Sequence, residues 1–176
     1  NWHGIASAAE AAARRLGTAY EHTAYNYVVY LFPSVPACGW LGLAYIGSPH
    51  KAWINGVGAF RTSAVAHEMG HNFGLLHAGS LRGANAAIGG SCSVAEYGDP
   101  FDVMGNQGSM HFNARQKSKL NWIGASTVAT HSAGTSTYTL SPIETGGGAL
   151  YAIKIPTASA SRTYWVEFRQ PIGFDS

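Results

Sequence analysis

One stretch limits what this chain of 176 residues can fold into: the run from His67 to His77, HEMGHNFGLLH. It carries the pattern HExxHxxGxxH. His67 and His71 are four residues apart, so on a helix they stand one turn apart on the same face. The spacing predicts a helix over Val65–Phe73, with Thr62 or Ser63 as its N-cap. Glu68 sits about 100° around that helix from His67. His77 follows His71 by six residues, and a continuing helix would carry it away from that face. The chain must turn, and Gly74 stands where glycine commonly ends helices, because it takes positive φ without steric cost.

Three imidazoles and one carboxylate within eleven residues fit a hydrolytic zinc site. Such a site needs three protein ligands and one open position for water. His67, His71 and His77 supply the ligands. Glu68 faces the water without being a ligand, which suits a general base. HExxH by itself also occurs on solvated helix faces; the third histidine and the glycine make the longer pattern specific. A structural zinc site would be closed by four ligands and is usually rich in cysteine. Only Cys38 and Cys92 occur here, and neither has a CxxC spacing.

Downstream lies Tyr97-Gly98-Asp99-Pro100-Phe101-Asp102-Val103-Met104-Gly105. HExxHxxGxxH followed by such a methionine turn resembles the metzincin metalloproteases. The wording HEMGHNFGLLHAG and EYGDPFDVMG is most similar to the gametolysin-like family, peptidase family M11. The resemblance runs from about Gly4 to Trp122 and is most specific at 67–78 and 96–105. It implies an α+β fold: a twisted mixed sheet, an active-site helix, a Met-turn and a C-terminal helix. Met104 is then the Met-turn methionine, a hydrophobic floor beneath the three histidines. The residue after the third ligand is Ala78, where adamalysins have Asp, astacins Glu, matrixins Ser or Thr, and serralysins Pro. Asn106 stands where astacins and serralysins carry a tyrosine, so their tyrosine switch is not carried over. The family's extended substrate pairs with a strand along the cleft, and by order Gly42, Leu43, Ala44 and Tyr45 are the candidates. The segment Gln107–Phe112 corresponds to the family's pocket just past the cut, which makes His111 a candidate contact; a surface histidine is the plainer reading. The implied partner is a protein or peptide in extended conformation, of the extracellular matrix or cell-wall glycoprotein type.

Composition narrows the class. Charged residues make up 11% of the chain against an ordinary level of about 25%. With abundant Gly, Ser, Thr, Ala and Tyr, this favours a secreted protein. The net charge of +2 is scattered, with one small cluster at Arg115, Lys117 and Lys119, so nucleic-acid binding is not expected. No apolar run is long enough to span a membrane. An extracellular enzyme would pair its two cysteines. A Cys38–Cys92 bridge would enclose the active-site helix and contribute about 4 kcal/mol in the chain-entropy model. Asp99 and Asp102 could assist a calcium ion, but two carboxylates in one turn are ordinarily turn formers and caps. The sequence sets no oligomeric state.

Along the chain, Ile5–Leu16 reads as an Ala-rich helix closed by Gly17. Tyr27–Phe32, Trp40–Ile46 and Ala52–Asn55 read as strands. Residues 79–98 read as a long Gly- and Ser-rich loop, and Asn113–Leu120 as a helix. From Ala125 the chain turns to Ser, Thr and Gly between apolar residues, with strands expected at Thr137–Leu140, Ala149–Ile155 and Thr163–Phe168. The expected division is a catalytic domain over 1–124, its first strand lying upstream of Asn1, and the start of a β-rich module over 125–176. Two other functions fit the same residues: a zinc-containing binding module without turnover, and a zinc amidase acting on a non-peptide substrate. An intact Glu68 weighs against the first, and the Met-turn against the second.

Overall fold

The computed structural model describes residues 1–83, 92–105, 108, 110–159 and 161–176. The chain is α+β and divides into two compact units, Asn1–His77 and Ala78–Ser176.

In the first unit, helix α1 spans Trp2–Leu16, with the Asn1 side chain capping its start by accepting from the Gly4 N–H at 2.9 Å. Strands β1 (Val28–Phe32), β2 (Gly42–Ala44) and β3 (Lys51–Asn55) form one sheet in the order β1-β3-β2. β1 runs parallel to β3 and β2 antiparallel to it. Helix α2 spans Thr62–Asn72. Strand alternation sorts the side chains to two faces. Tyr30, Phe32 and Trp53 pack with Ala6, Trp2 and Ile5 of α1, joined by Leu43 and Tyr45 of the β2 segment. Ile54 and Val29 point the other way, onto Ala64 and Val65 of α2. The expected second strand was longer than β2; only three of its residues join the ladder.

Polar groups tie α1 to the sheet as well. The Glu10 carboxylate accepts from the Tyr30 hydroxyl and from Lys51 Nζ at 2.9 Å, with His22 Nδ1 at 3.6 Å. Burial raises the Glu10 pKa, but the hydrogen bonds from Tyr30 and Lys51 outweigh it and leave the carboxyl below its ordinary value.

The second unit opens with an antiparallel hairpin, β4 (Ser80–Gly83) and β5 (Cys92–Ala95), inside the stretch expected to be loop. The middle of that stretch, 84–91, lies outside the described residues. Helix α3 spans Ala114–Lys119, capped by the Asn113 side chain, which accepts from the Gln116 N–H. A second three-stranded sheet follows: β6 (Val128–Thr130) parallel to β7 (Ala152–Pro156), and β8 (Thr163–Glu167) antiparallel to β7. Its core joins Ala152, Tyr151, Ile143, Ile123 and Ala114. Two strand expectations fall close to β7 and β8. The third is corrected: Thr137–Leu140 stays outside the ladder, and Val128–Thr130 takes the place beside β7. Among the described residues no helix is long and apolar enough to cross a membrane.

Candidate metal centre

The three histidines come together, all within the first unit. A ring nitrogen of each lies within 4.8 Å of those of the other two. His71 and His77 approach most closely, Nε2 to Nε2 at 3.0 Å. Ligand nitrogens about 2.0–2.1 Å from a tetrahedral zinc lie roughly 3.3 Å apart, so this trio fits such an ion with small adjustments. Among the described residues it is the one group of three or more His, Cys, Asp or Glu side chains with that spacing.

Helix α2 ends as the histidine spacing requires. It starts one turn earlier than predicted, with Arg61 rather than Thr62 or Ser63 at the N-cap position and no side-chain cap bond. At its end Gly74 has φ +85°. The Gly74 N–H donates to the His71 carbonyl at 2.8 Å and the Leu75 N–H to the Gly70 carbonyl at 3.0 Å. That pair of bonds is a Schellman closure, and it redirects the chain so that His77 meets His71. The same turn fixes the His71 ring: its Nδ1 lies 2.9 Å from the Leu75 carbonyl. Nδ1 therefore carries the proton, and Nε2 keeps its lone pair for a metal. Burial holds the His71 imidazole below its usual range, although the Leu75 carbonyl pulls the other way. The neutral form, which binds metals, is thereby favoured.

Glu68 is buried, and burial pushes its carboxyl up to about 7. Its carboxylate lies against the backbone of β2: a β-carbon built on Gly42 would come within 2.3 Å of Oε1. β2 pairs on one side with β3 and on its other side with no strand among the described residues. Asn72, fully buried at the end of α2, donates to the carbonyls of Tyr45 and Lys51 at 2.9 and 3.1 Å. It ties the end of α2 to the residue just past β2 and to the first residue of β3. Sequence reasoning passed over Asn72; the available signal was an amide inside a helix face that is otherwise buried.

In the second unit Met104 is fully buried in a tight turn. Its carbonyl accepts from the N–H of Ala78, the residue after the third histidine, at 2.8 Å, and the Ala78 carbonyl accepts from Asp99 at 3.2 Å. Asp99 and Asp102 act as turn formers: Asp99 accepts from the Phe101 N–H, and Asp102 from the Met104 and Asn113 N–H groups at 2.7 and 2.9 Å. Burial pushes the Asp102 carboxyl up to about 6 against these bonds. With its amide turned to present nitrogen, Gln116 adds bonds to both Asp102 oxygens.

His111 belongs to a polar cluster of this unit. Its N–H donates to Asp175 at 2.8 Å, Lys117 Nζ lies 3.4 Å from its Nδ1, and its ring packs on Phe174. Gln107, at the start of the same segment, lies outside the described residues. The Cys38–Cys92 bridge is not formed. Cys38 is a half-buried free thiol on a turn of the first unit, and Cys92 belongs to a hairpin of the second.

The sequence matches the model of the gametolysin peptidase M11 family over residues 1–169. The chain belongs to that family. The match reaches well past Trp122, so the β-rich segment after Ala125 is family sequence too. Membership makes the chain a metallopeptidase acting on protein substrates, and the histidine trio is where its metal can bind. No curated protein and no solved structure matches the chain.

Proposed function

We propose that this M11 family member is a secreted zinc endopeptidase of the metzincin type, cutting extended segments of extracellular proteins of the matrix or cell-wall glycoprotein kind. One observation carries the reading: three histidine nitrogens converge beside a helix whose buried glutamate follows the first of them. His67, His71 and His77 would hold the ion, and Met104 would occupy the Met-turn position. When bound, zinc supplies a Lewis acid that polarises the scissile carbonyl and makes a water acidic near neutral pH.

The chain's own residues do the rest. Glu68 takes the proton from the attacking water and delivers it to the leaving amine. Burial keeps bulk water from competing for that proton. The substrate would lie along β2. Tyr45 N–H donates to the Lys51 carbonyl and Asn55 N–H to the Leu41 carbonyl, so residues 41, 43 and 45 turn their backbone groups to β3. By antiparallel alternation Gly42 and Ala44 turn theirs to the open edge, where a peptide strand can pair.

The test is cleavage of a mixed peptide library read by mass spectrometry, wild type beside Glu68→Ala, with zinc content measured on both. We expect cuts by the wild type alone and equal zinc in both. A Glu68→Ala variant with a tenth of the wild-type rate would remove Glu68 as the base. No cuts by the zinc-loaded wild type would remove the peptidase reading.

A further inference from the structure

We infer that Gly42 is a positioning residue for Glu68: its missing side chain is the seat of the carboxylate. This rests on the peptidase reading above and adds a residue to that site.

The geometry is one-sided. A β-carbon at Gly42 would lie 2.3 Å from Glu68 Oε1 and 2.8 Å from both Cδ and Cγ. Contacts under about 3 Å are not sustained by real side chains, so any other residue at 42 must displace Glu68. No backbone atom stands among these nearest contacts. Gly42 also has no left-handed φ. Strain therefore does not demand glycine here; the carboxylate does. Glycine inside a strand otherwise weakens it, and one in so short a strand has a cost that needs a cause.

Alternation explains which position was chosen. Leu43 faces the α1 side of the sheet with Trp53. Its neighbours 42 and 44 face α2 and are the two smallest residue types. Gly42 is paired with Ile54 in a register that leaves its own N–H and C=O on the open edge. One residue thus carries both a floor for the base and a rung for the substrate. A carboxylate displaced from this seat would lose its alignment with a peptide held on the edge, while the edge itself could still pair.

The experiment compares Gly42→Ala, Glu68→Ala and the double variant with the wild type. Kinetics on a cleaved peptide should show kcat for Gly42→Ala down by about tenfold or more, a part of the 10²–10⁴ that a general base contributes. KM should stay within about threefold and zinc content at the wild-type level. A kcat within twofold of wild type overturns the inference. Because catalysis presupposes the peptidase reading, a second readout does not use it: the ¹³Cδ signal of Glu68 in glutamate-labelled protein, assigned by its loss in Glu68→Ala. That signal should move in Gly42→Ala toward the exposed glutamates, and an unmoved signal overturns the seat. Should Gly42→Ala fold poorly, the double variant decides. Folding restored by removing Glu68 supports the inference, and a defect that persists without Glu68 overturns it. If the wild type cuts nothing while the signal moves, the peptidase reading fails and the seat stands.

Discussion

Asp102 gathers hydrogen bonds from three residues onto one buried carboxylate, and those bonds link the Met104 turn to the start of α3. Asp102→Asn puts an NH2 where one backbone N–H now donates. Leaving a buried donor unsatisfied costs about 1–3 kcal/mol, so equilibrium denaturation should show a loss of about 2 kcal/mol. His77→Ala acts elsewhere: it should leave the fold intact and lower zinc affinity by at least tenfold in a chelator competition. Unchanged stoichiometric zinc would exclude His77 as a ligand. The convergence of the three histidines was legible in the sequence because helical periodicity and a glycine stop are local rules, and the Schellman closure at Gly74 obeys them. The role of Gly42 was not. It depends on how closely α2 and β2 approach, which no local rule encodes, and the strand edge drew attention to that residue for its backbone alone.

At the level of elements, α1 is held by packing on Trp53 and by Glu10. The folded Glu10 pKa lies below its ordinary value of 4.5. Its contribution is therefore present above that value and lost as pH falls through the lower folded pKa. The carboxylate is partly buried at the edge of the sheet and still within reach of solvent, so Glu10→Gln should cost about 1 kcal/mol at neutral pH. The gap between the two proteins should close as pH falls below 4.5, measured by urea unfolding across that range. A gap constant down to pH 3 would refute the ionised pairing with Lys51. Helix α1 and the first-unit strands were readable from their apolar patterns, and α2 from the spacing of its histidines. The β4–β5 hairpin was hidden by its Gly- and Ser-rich surroundings and by two exposed apolar partners, Leu81 and Val94, with no core face to betray them. Strand β6 escaped because three residues carry too little pattern. Thr137–Leu140 has β-prone composition but finds no ladder partner among the described residues.

For the whole molecule, zinc should act as a ligand of the folded state. Removing it with a chelator should abolish peptide cleavage, and stoichiometric zinc should restore it. At free zinc about 100-fold above Kd the folded chain gains about 2.7 kcal/mol, so the melting temperature should rise on loading and fall on chelation. A melting temperature indifferent to zinc would mean that the histidine trio does not hold the ion in the folded chain. The family assignment was legible from two short motifs, whereas the parallel β6–β7 pair of the second sheet rests on contacts between residues more than twenty positions apart. The brevity of β2 has a further consequence for chains at high concentration. An open sheet edge is a template for self-association, and long flat edges are the ones that recruit further copies. With three residues in the ladder and two presenting outward groups, β2 suffices for the proposed substrate only if other parts of that substrate are anchored elsewhere. It is too short to bind a second copy by backbone pairing alone, so an edge kept open for the proposed substrate does little to promote aggregation.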